Sequence, residues 1–298
     1  MDQAGKLRDL VKQQGIVKSS PSLERPAGTE NLRILAVTSG KGGVGKSNFS
    51  VNLAVQMTRA GKRVVVVDAD FGLANVEVLL GVSPKHSFND VLAGTVSLED
   101  ALTTGPEGVR FLSGGSGLTA LADVTDAQMA VLITGFLQLA DLADIVIIDT
   151  GGGMSKTVTN FLKASDETIV ITTPDPTSVT DAYAIIKTLF TDNPRPPLLK
   201  VVVNRVESQQ EGQEVFKRLS RVCHRFLDLK LVNLGTIPQD KHLAKAVKSQ
   251  EPVTLMYPNA PSSQSIGAIG QRLLQDSPFR ESSGIQKFLD RWMGFMRQ

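Results

Sequence analysis

Cysteine, histidine and tryptophan are scarce in this sequence. Its 298 residues include one cysteine, Cys223, so no intramolecular disulfide can form and nothing indicates an oxidising compartment. The three histidines, His86, His224 and His242, are too scattered along the chain to form a zinc-ligand motif. These absences argue against a disulfide scaffold and against a zinc-binding module.

Long apolar runs and a charge excess are also missing. No uninterrupted apolar stretch approaches the ~18 residues that a membrane-spanning helix needs, and the first residues lack the hydrophobic centre of a signal peptide. We therefore expect a cytoplasmic location. The 32 basic and 30 acidic residues give a formal net charge of +2, so bulk charge does not favour nucleic acid as the main partner.

Short runs of apolar, often β-branched residues recur from about residue 32 to residue 275, with helix-like stretches between them. Near-continuous apolar runs are typical of strands buried on both faces of a parallel sheet. The predicted strands are Leu32–Val37, Arg63–Asp68, Ala143–Asp149, Thr168–Thr173, Leu199–Asn204 and Leu231–Thr236. The predicted helices include Asn48–Ala60, Asp126–Leu142, Thr180–Phe190 and Gln209–Phe226. Repeated β-then-α units predict an α/β fold with one doubly wound, mostly parallel sheet.

Two polar stretches divide the chain into three parts. Residues 18–31 are rich in Ser, Pro, Gly and charge, which is typical of a flexible linker, and a second polar break with a proline covers residues 277–284. We expect a short N-terminal segment with its linker over residues 1–31. The α/β domain would cover residues 32–278, and a C-terminal amphipathic helix would lie within residues 279–298.

The segment between the first predicted strand and the first predicted helix matches the phosphate-loop pattern G-x-x-x-x-G-K-[ST]. Its residues are Gly40, Lys41, Gly42, Gly43, Val44, Gly45, Lys46 and Ser47. Glycines let backbone N–H groups approach phosphates, and the helix start adds the positive end of its dipole. We expect Lys46 to reach the β- and γ-phosphates and the Ser47 hydroxyl to bind magnesium. The predicted ligands are ATP or ADP with Mg²⁺.

The second lysine of this loop, Lys41, resembles the deviant Walker A lysine of the MinD/ParA family of ATPases. That resemblance implies a P-loop fold of MinD type, hydrolysis of ATP, and a dimer in which Lys41 reaches the partner's phosphates. Segment 68–75, DADFGLAN, is similar to the family's switch I, so Asp70 would position the attacking water and Asp68 would support the magnesium shell. A simpler role, capping the next helix, stays open for such strand-end aspartates.

Three further positions fit the family pattern. Asp149 ends the apolar run IVIID, the layout of a Walker B strand, and would hold magnesium. Residues 150–153, TGGG, match switch II, although many relatives have Pro-Ala or Ala-Ala before the second glycine, where this chain has Gly151 before Gly152. By the same likeness Asn204 would recognise adenine, for which its amide has both a donor and an acceptor. Pro238 would flank the base.

The N-terminal segment DQAGKLR resembles the D-Q-A-x-x-L-R segment of the FlhG branch of this family, also called FleN or YlxH, which regulates flagellar number. The matching residues are Asp2, Gln3, Ala4, Leu7 and Arg8. In that branch the segment activates the GTPase FlhF. The residues Asp175–Tyr183 are also similar to the corresponding FlhG loop. The resemblance implies FlhF, flagellar switch-complex (C-ring) proteins and a flagellar transcription regulator as partners.

The C-terminal segment has one apolar stripe with helical spacing. Its members are Ile285, Phe288, Leu289, Trp292, Met293 and Met296. Because cations flank this stripe and relatives end in membrane-targeting helices, we expect reversible binding to the anionic inner face of the cell membrane. Docking of the same stripe in a groove of the chain's own body is the alternative, and each arrangement could belong to a different nucleotide state.

The sequence therefore predicts an ATP-dependent switch that controls flagellar number and placement through FlhF. A septum-positioning MinD is the first rival, although it gives no reason for the DQAGKLR segment. A DNA-partitioning ParA-like ATPase would favour a basic surface, which the near-neutral charge does not suggest. An iron–sulfur carrier of this family needs at least two cysteines per chain, so the single cysteine excludes it.

Overall fold

A computed structural model of the chain describes residues 32–70, 75–115, 126–191, 193, 196–275 and 284–296. Eight strands form one sheet in this part of the chain. They are β1 (Arg33–Thr38), β2 (Val64–Ala69), β3 (Thr103–Thr104), β4 (Arg110–Leu112), β5 (Ile145–Thr150), β6 (Glu167–Thr172), β7 (Leu198–Val206) and β8 (Val232–Pro238). The six predicted strands are all present, within two residues at either end, and the short β3 and β4 are additional.

Twelve α-helices lie between these strands or after the last of them in the described part of the chain. They are α1 (Lys46–Arg59), α2 (Val76–Leu80), α3 (Phe88–Leu92), α4 (Leu98–Ala101), α5 (Asp126–Leu142), α6 (Lys156–Ala164), α7 (Pro176–Phe190), α8 (Gln209–Leu227), α9 (Lys241–Lys248), α10 (Val253–Met256), α11 (Pro261–Gln275) and α12 (Gly284–Met296). α7 begins four residues before the prediction, because Asp175 caps it and Pro176 occupies its first position. A proline there needs no N–H partner and already has a helical φ.

The strand order is β3-β4-β2-β5-β1-β6-β7-β8, and every neighbouring pair is parallel except β3 with β4. The prediction of a doubly wound, mostly parallel sheet is therefore confirmed. β1 lies between β5 and β6, so the loop after β1 emerges at the centre of the carboxyl edge. In open α/β sheets, this edge is where ligands bind.

Both faces of the sheet are covered by helices, and successive residues of β1 pack alternately against the two helical layers. All six of its residues are buried. Ile34 and Ala36 join the apolar layer that includes α5 to α8 and α12, whereas Leu35 and Val37 join the layer that includes α1 and α11. This alternation explains why the four central residues of the strand, 34–37, are all apolar.

A buried ionic cluster ties together the amino-terminal ends of three central strands. Arg33 of β1 forms a two-pronged ion pair with Glu167 of β6, with Nη2 donating to Oε2 over 2.8 Å. Lys200 of β7 adds a second cation, its Nζ 2.9 Å from the same Oε2. The three side chains are almost fully buried. The cluster lies at the opposite end of the strands from the phosphate loop, so it is structural.

Candidate functional site

The predicted phosphate loop connects the end of β1 to the start of α1, and two of its glycines have conformations that other residues rarely adopt. Gly43 has φ 76° and Gly45 has φ 98°. A Cβ on Gly45 would lie 2.5 Å from Nδ2 of Asn204, and a Cβ on Gly40 would overlap the backbone of Asp181. Gly42 is exposed beside open space. The loop is therefore open to solvent on one side, and its backbone conformation and close contacts require glycine.

The start of α1 fits an anion. Gly45 is the N-cap residue and provides no side-chain cap, and the first turn of the helix contains no acidic residue. Lys46 is the first residue of the helix and its side chain is largely buried, while Ser47 is half-buried. Uncapped N–H groups, a helix dipole and a lysine together favour phosphate. This observation supports the predicted roles of the loop, Lys46 and Ser47 in holding a nucleotide.

Asp149 lies at the carboxyl end of β5, beside the loop, and is fully buried. Its Oδ1 accepts a 2.7 Å hydrogen bond from the Ser50 hydroxyl, whereas Oδ2 has no partner among the described residues. Burial raises the pKa of Asp149 to about 6, although the Ser47 and Ser50 hydroxyls and the charge of Lys46 act in the opposite direction. A buried carboxylate oxygen without a donor suits a bound cation, so the site fits magnesium with Ser47.

Asp68 is paired in register with Asp149 on the neighbouring strand, and it organises the backbone that follows it. Its Oδ1 accepts from the N–H of Asp70 at 3.0 Å, and its Oδ2 accepts from the N–H groups of Asn75 and Val76 at 3.0 and 3.1 Å. Burial, and then the charge of Asp149, raise the pKa of Asp68 to about 7. Asp68 thus caps the start of α2. Its predicted support of the magnesium shell stays a prediction.

Asp70 lies just beyond β2, half-buried, at the same edge. The Asn75 amide donates from Nδ2 to Oδ2 of Asp70 over 3.3 Å, and this hydrogen bond helps to fix the position of the carboxylate. A Cβ on Gly151 would approach Oδ1 of Asp70 to 3.2 Å, and one on Gly152 would approach the Gly42 nitrogen to 3.0 Å. The glycines that depart from the family's switch II therefore let this segment pack closely against Asp70 and the phosphate loop.

Lys41 is half-exposed at the mouth of the loop, and its ammonium contacts the start of α7. Nζ donates to Asp175 Oδ2 over 2.5 Å and to Thr177 Oγ1 over 2.9 Å. Sequence reasoning missed both partners. The available signal was the Asp-Pro pair at 175–176, which is typical of a helix start and places an exposed carboxylate there.

Asn204 and Pro238 lie at the carboxyl ends of β7 and β8, where the resemblance placed the base. The Asn204 amide donates from Nδ2 to the Val44 carbonyl over 2.7 Å, and its Oδ1 accepts from the Arg205 N–H at 2.9 Å. Asn204 therefore braces the phosphate loop in this conformation. Pro238 is half-buried in the last position of β8. Their contacts with adenine stay predictions.

Some predicted features lie outside the described residues. These include the N-terminal segment with Asp2, Gln3, Ala4, Leu7 and Arg8, and the central part of switch I, residues 71–74. Within the described parts of the chain, no helix is both long enough and apolar enough to span a bilayer.

The C-terminal helix α12 packs on the body of the protein. Ile285, Phe288, Leu289 and Trp292 are buried in the apolar layer with α5 and α6. Met293 is only half-buried, and the side chain of Met296 is not among those that the structure describes. The alternative that the stripe occupies a groove of the chain itself therefore describes this conformation. Lipid binding would require that the same face be released.

Aromatic stacking and polar contacts hold α12 in place. The Trp292 ring stacks on Phe161 of α6 with centroids 4.8 Å apart. Arg291 donates from Nη2 to Asp166 Oδ1 over 3.0 Å, and Asn160 donates to the carbonyl of Phe295 over 3.3 Å. The indole Nε1 of Trp292, in contrast, is buried without a partner among the described residues.

Comparison with known proteins shows to which family the chain belongs. The family model described as the CobQ/CobB/MinD/ParA nucleotide binding domain matches residues 35–253. The chain is similar to the antiactivator FleN of Pseudomonas aeruginosa, with 41% identity over 81% of this chain and 86% of that protein. It is also similar to the flagellum site-determining protein YlxH of Helicobacter pylori, with 35% identity over 82% of each chain.

Among solved structures, the fold is similar to that of the septum site-determining protein MinD from Pyrococcus horikoshii complexed with Mg-ADP. The TM-score is 0.68 at 23% identity, over 82% of this chain and 96% of that one. A likeness at this identity establishes a shared fold. It agrees with the sheet order and with the position of the phosphate loop described above.

Proposed function

The chain belongs to the CobQ/CobB/MinD/ParA nucleotide-binding family, and from that premise we propose that it is an ATP-driven switch regulating flagellar number and placement. ATP with magnesium favours a face-to-face homodimer, and hydrolysis returns the monomer. The switch alternates between the cytoplasm and the inner face of the cell membrane. The observation that carries the proposal is a phosphate loop with Lys46 and Asp149 beside it in a chain 41% identical to the antiactivator FleN and 35% identical to the flagellum site-determining protein YlxH.

The described residues include a candidate for each part that hydrolysis would need, which supports the proposal. The uncapped start of α1 and Lys46 would bind the phosphates, and Ser47 with the unpartnered oxygen of Asp149 would hold magnesium. Magnesium, when bound, neutralises charge that develops on the transferred phosphoryl group. Asp70, held by Asn75, is the residue proposed to orient the attacking water. Lys41 of one subunit would add a cation at the partner's phosphates.

The output is proposed to pass through the two ends of the chain. The N-terminal DQAGKLR segment stimulates the GTPase FlhF, and flagellar switch-complex proteins and a flagellar transcription regulator are further partners. In the ATP state, α12 leaves its groove and its apolar stripe enters the membrane surface. A thirteen-residue helix is marginal alone, so it needs either the groove or lipid, which supports an exchange between the two.

The first test measures GTP turnover by purified FlhF with the full-length protein or with a peptide of residues 1–20. We expect both to stimulate turnover, and we expect Gln3→Ala and Leu7→Ala to abolish the effect. Deleting residues 1–17 should leave ATP binding intact, because the phosphate loop lies beyond them. Absence of stimulation by peptide and protein would remove FlhF from the proposal.

Counting flagella and division septa in cells distinguishes the flagellar function from the MinD alternative. That alternative is still relevant because the fold is shared with a septum site-determining MinD. Loss of the gene, or a Lys46→Ala allele, should change flagellar number while septa stay at midcell. Misplaced septa with normal flagella would instead support a septum-positioning ATPase.

A further inference from the structure

The loop that follows β8 is attached to the body of the protein by one buried carboxylate, that of Asp240. Its side chain is only 4% exposed. Oδ1 accepts from the His242 N–H at 2.8 Å and lies 3.0 Å from Nδ1 of the same residue. Oδ2 accepts from the N–H and from the hydroxyl of Ser262, at 3.1 and 2.7 Å. Both oxygens of the carboxylate are therefore engaged.

The two oxygens of Asp240 have different roles. Oδ1 caps α9, because the His242 N–H belongs to the first turn of that helix. Oδ2 instead binds Ser262 in the first turn of α11, 22 positions away in the chain. Capping α9 requires only the contact through Oδ1. The contact between Asp240 and Ser262, which we call the loop clamp, joins the starts of two separate helices.

The loop clamp is a contact between a charged group and a completely buried residue, Ser262. Burial opposes ionisation of Asp240, but the hydrogen bonds from His242 and Ser262 outweigh it and lower the pKa of Asp240 to about 2. Asp240 is therefore ionised at neutral pH. Hydrogen bonds to an ionised acceptor are stronger than those between neutral groups, so the clamp holds the loop firmly.

The clamped loop includes one of the two residues predicted to contact adenine. Pro238 is two residues before Asp240, and it pairs with Val206, which is two residues beyond Asn204 on β7. The N–H of the intervening Gln239 donates to the Val206 carbonyl over 2.9 Å. The loop is thus attached to β7 on one side and to α11 on the other.

We propose that Asp240 and Ser262 are positioning residues for the purine base, because they hold the loop of Pro238 at a fixed distance from Asn204. This inference rests on the proposed function, in which the ligand is ATP, and on the predicted place of adenine beside Pro238 and Asn204. Asp240 and Ser262 themselves need not touch the nucleotide. The affinity that the base contributes should depend on the loop clamp, whereas the affinity that the phosphates contribute should not.

Asp240→Asn breaks the loop clamp but keeps the cap. Asparagine caps helices as well as aspartate does, so Oδ1 can still accept from the His242 N–H. The amide Nδ2 that replaces Oδ2 is a donor, and it cannot accept from the Ser262 N–H.

The test compares two ligands of the full chain by isothermal titration calorimetry, each with Mg²⁺. One is a non-hydrolysable ATP analogue, and the other is inorganic tripolyphosphate, which lacks the base. In Asp240→Asn we expect the Kd of the analogue to rise about tenfold, because a hydrogen bond to a charged group is lost. The Kd of tripolyphosphate should stay unchanged. A residue that merely stabilised the fold would not separate the two ligands.

Asp90→Asn is the matched control. Oδ2 of Asp90 also accepts from the N–H and the hydroxyl of one serine, Ser87, at 2.7 and 3.0 Å. That pair forms the capping box of α3, which contacts the end of β4, far from β8 in the strand order. Asp90→Asn should leave both Kd values unchanged.

Ser262→Ala provides a second, milder variant in case Asp240→Asn does not fold. It removes the hydroxyl donor and keeps the backbone N–H of the loop clamp. We expect the Kd of the analogue to rise about threefold, again without a change for tripolyphosphate. An analogue Kd that neither variant changes, or an equal rise for both ligands, would overturn the inference.

Combining Asp240→Asn with Pro238→Ala tests whether the clamp acts through the loop. If Asp240 positions Pro238, it has less to position once the proline ring is absent. The two effects on the analogue Kd should therefore combine to less than their product. Effects that multiply would show that Asp240 acts independently of Pro238 and would also overturn the inference.

The unmodified chain and Lys46→Ala distinguish this inference from the proposed function. We expect the unmodified chain to bind the analogue more tightly than tripolyphosphate, and Lys46→Ala to weaken both. If tripolyphosphate binds as tightly as the analogue, the base contributes nothing and the inference is overturned, while ATP binding by the phosphate loop stands. If Lys46→Ala changes neither Kd, the proposed function fails as well.

Discussion

Gly45 combines two constraints at the residue scale. Its φ of 98° strains any side-chain-bearing residue, and a Cβ would lie 2.5 Å from the Asn204 amide that braces Val44. Relieving this overlap would require either that the Asn204 amide give up its hydrogen bond to the Val44 carbonyl or that the loop change its conformation. Gly45→Ala should therefore lower ATP affinity by about tenfold or more, measured by titration with a fluorescent ATP analogue.

Gly61 provides the control for that prediction. It also has a positive φ, 84°, but a Cβ there meets no atom within 4 Å. Gly61→Ala should show the backbone strain in its melting temperature while ATP affinity stays unchanged. Equal ATP affinity for Gly45→Ala and the unmodified chain would contradict the proposed role of the loop conformation.

At the scale of the element, α12 is docked by its apolar face but with one unfavourable feature. The buried indole N–H of Trp292 has no partner among the described residues, which costs about 1–3 kcal/mol. At a lipid–water interface this N–H would find an acceptor. The helix is therefore held less firmly than its burial suggests, which is consistent with the proposed exchange between groove and lipid.

Phe288→Ala should undock α12. The side chain is fully buried and stacks with Phe136 and Phe161, and a Phe-to-Ala change in a core costs about 3–5 kcal/mol. A helix of this length is only marginally stable when it is undocked in water, so amide hydrogen exchange over residues 284–296 should accelerate. Protection in α1, which packs on the other face of the sheet, should persist.

The half-buried Met293 supplies the comparison for Phe288. Met293→Ala removes a side chain of similar length from the edge of the same helix and should change exchange far less. If both variants leave α12 protected, the polar contacts of Arg291 and Asn160 carry the docking instead of the aromatic face.

At the scale of the whole molecule, the sequence predicts most of the sheet but not all contacts around it. Apolar runs specify strands because both faces of a parallel sheet are covered, and the loop motif specifies its own backbone. The strands β3 and β4 span two and three residues, which is too short for any periodicity. The contact of Lys41 with Asp175 joins residues 134 positions apart, and no local pattern encodes such a distance.

The docking of α12 shows a second kind of omission. An apolar stripe indicates that a helix buries one face, but that face can be buried equally well in a lipid surface or in a protein groove. Only the arrangement of α5, α6 and β1 decides that a groove of matching length exists. The ionic cluster of Arg33, Glu167 and Lys200 is comparable, because each charge alone gives no indication of burial.

That ionic cluster makes a prediction about global stability. Glu167→Gln keeps the shape but leaves two buried cations facing an uncharged group, and breaking a buried ion pair costs about 3–5 kcal/mol. Urea unfolding at neutral pH should show a loss of this order. Asp144→Asn, which breaks the exposed pair with Arg63, should cost under ~1 kcal/mol.

The unfolding free energies of the unmodified chain and of Glu167→Gln should also depend differently on pH. The sign of this difference follows from the structure. Burial alone would raise the pKa of Glu167, but the hydrogen bond and charge of Arg33, with the charge of Lys200, outweigh it and place the pKa below the ordinary 4.5. A lowered pKa contributes stability that is present above about pH 4.5 and is lost as the pH falls through the folded-state value. The difference in unfolding free energy between the unmodified chain and Glu167→Gln should therefore be constant from pH 7 to about pH 5 and shrink below it. Other carboxylates titrate equally in both proteins and cancel in this difference, so a gap that persists in acid would show that the charge of Glu167 does not stabilise the sheet.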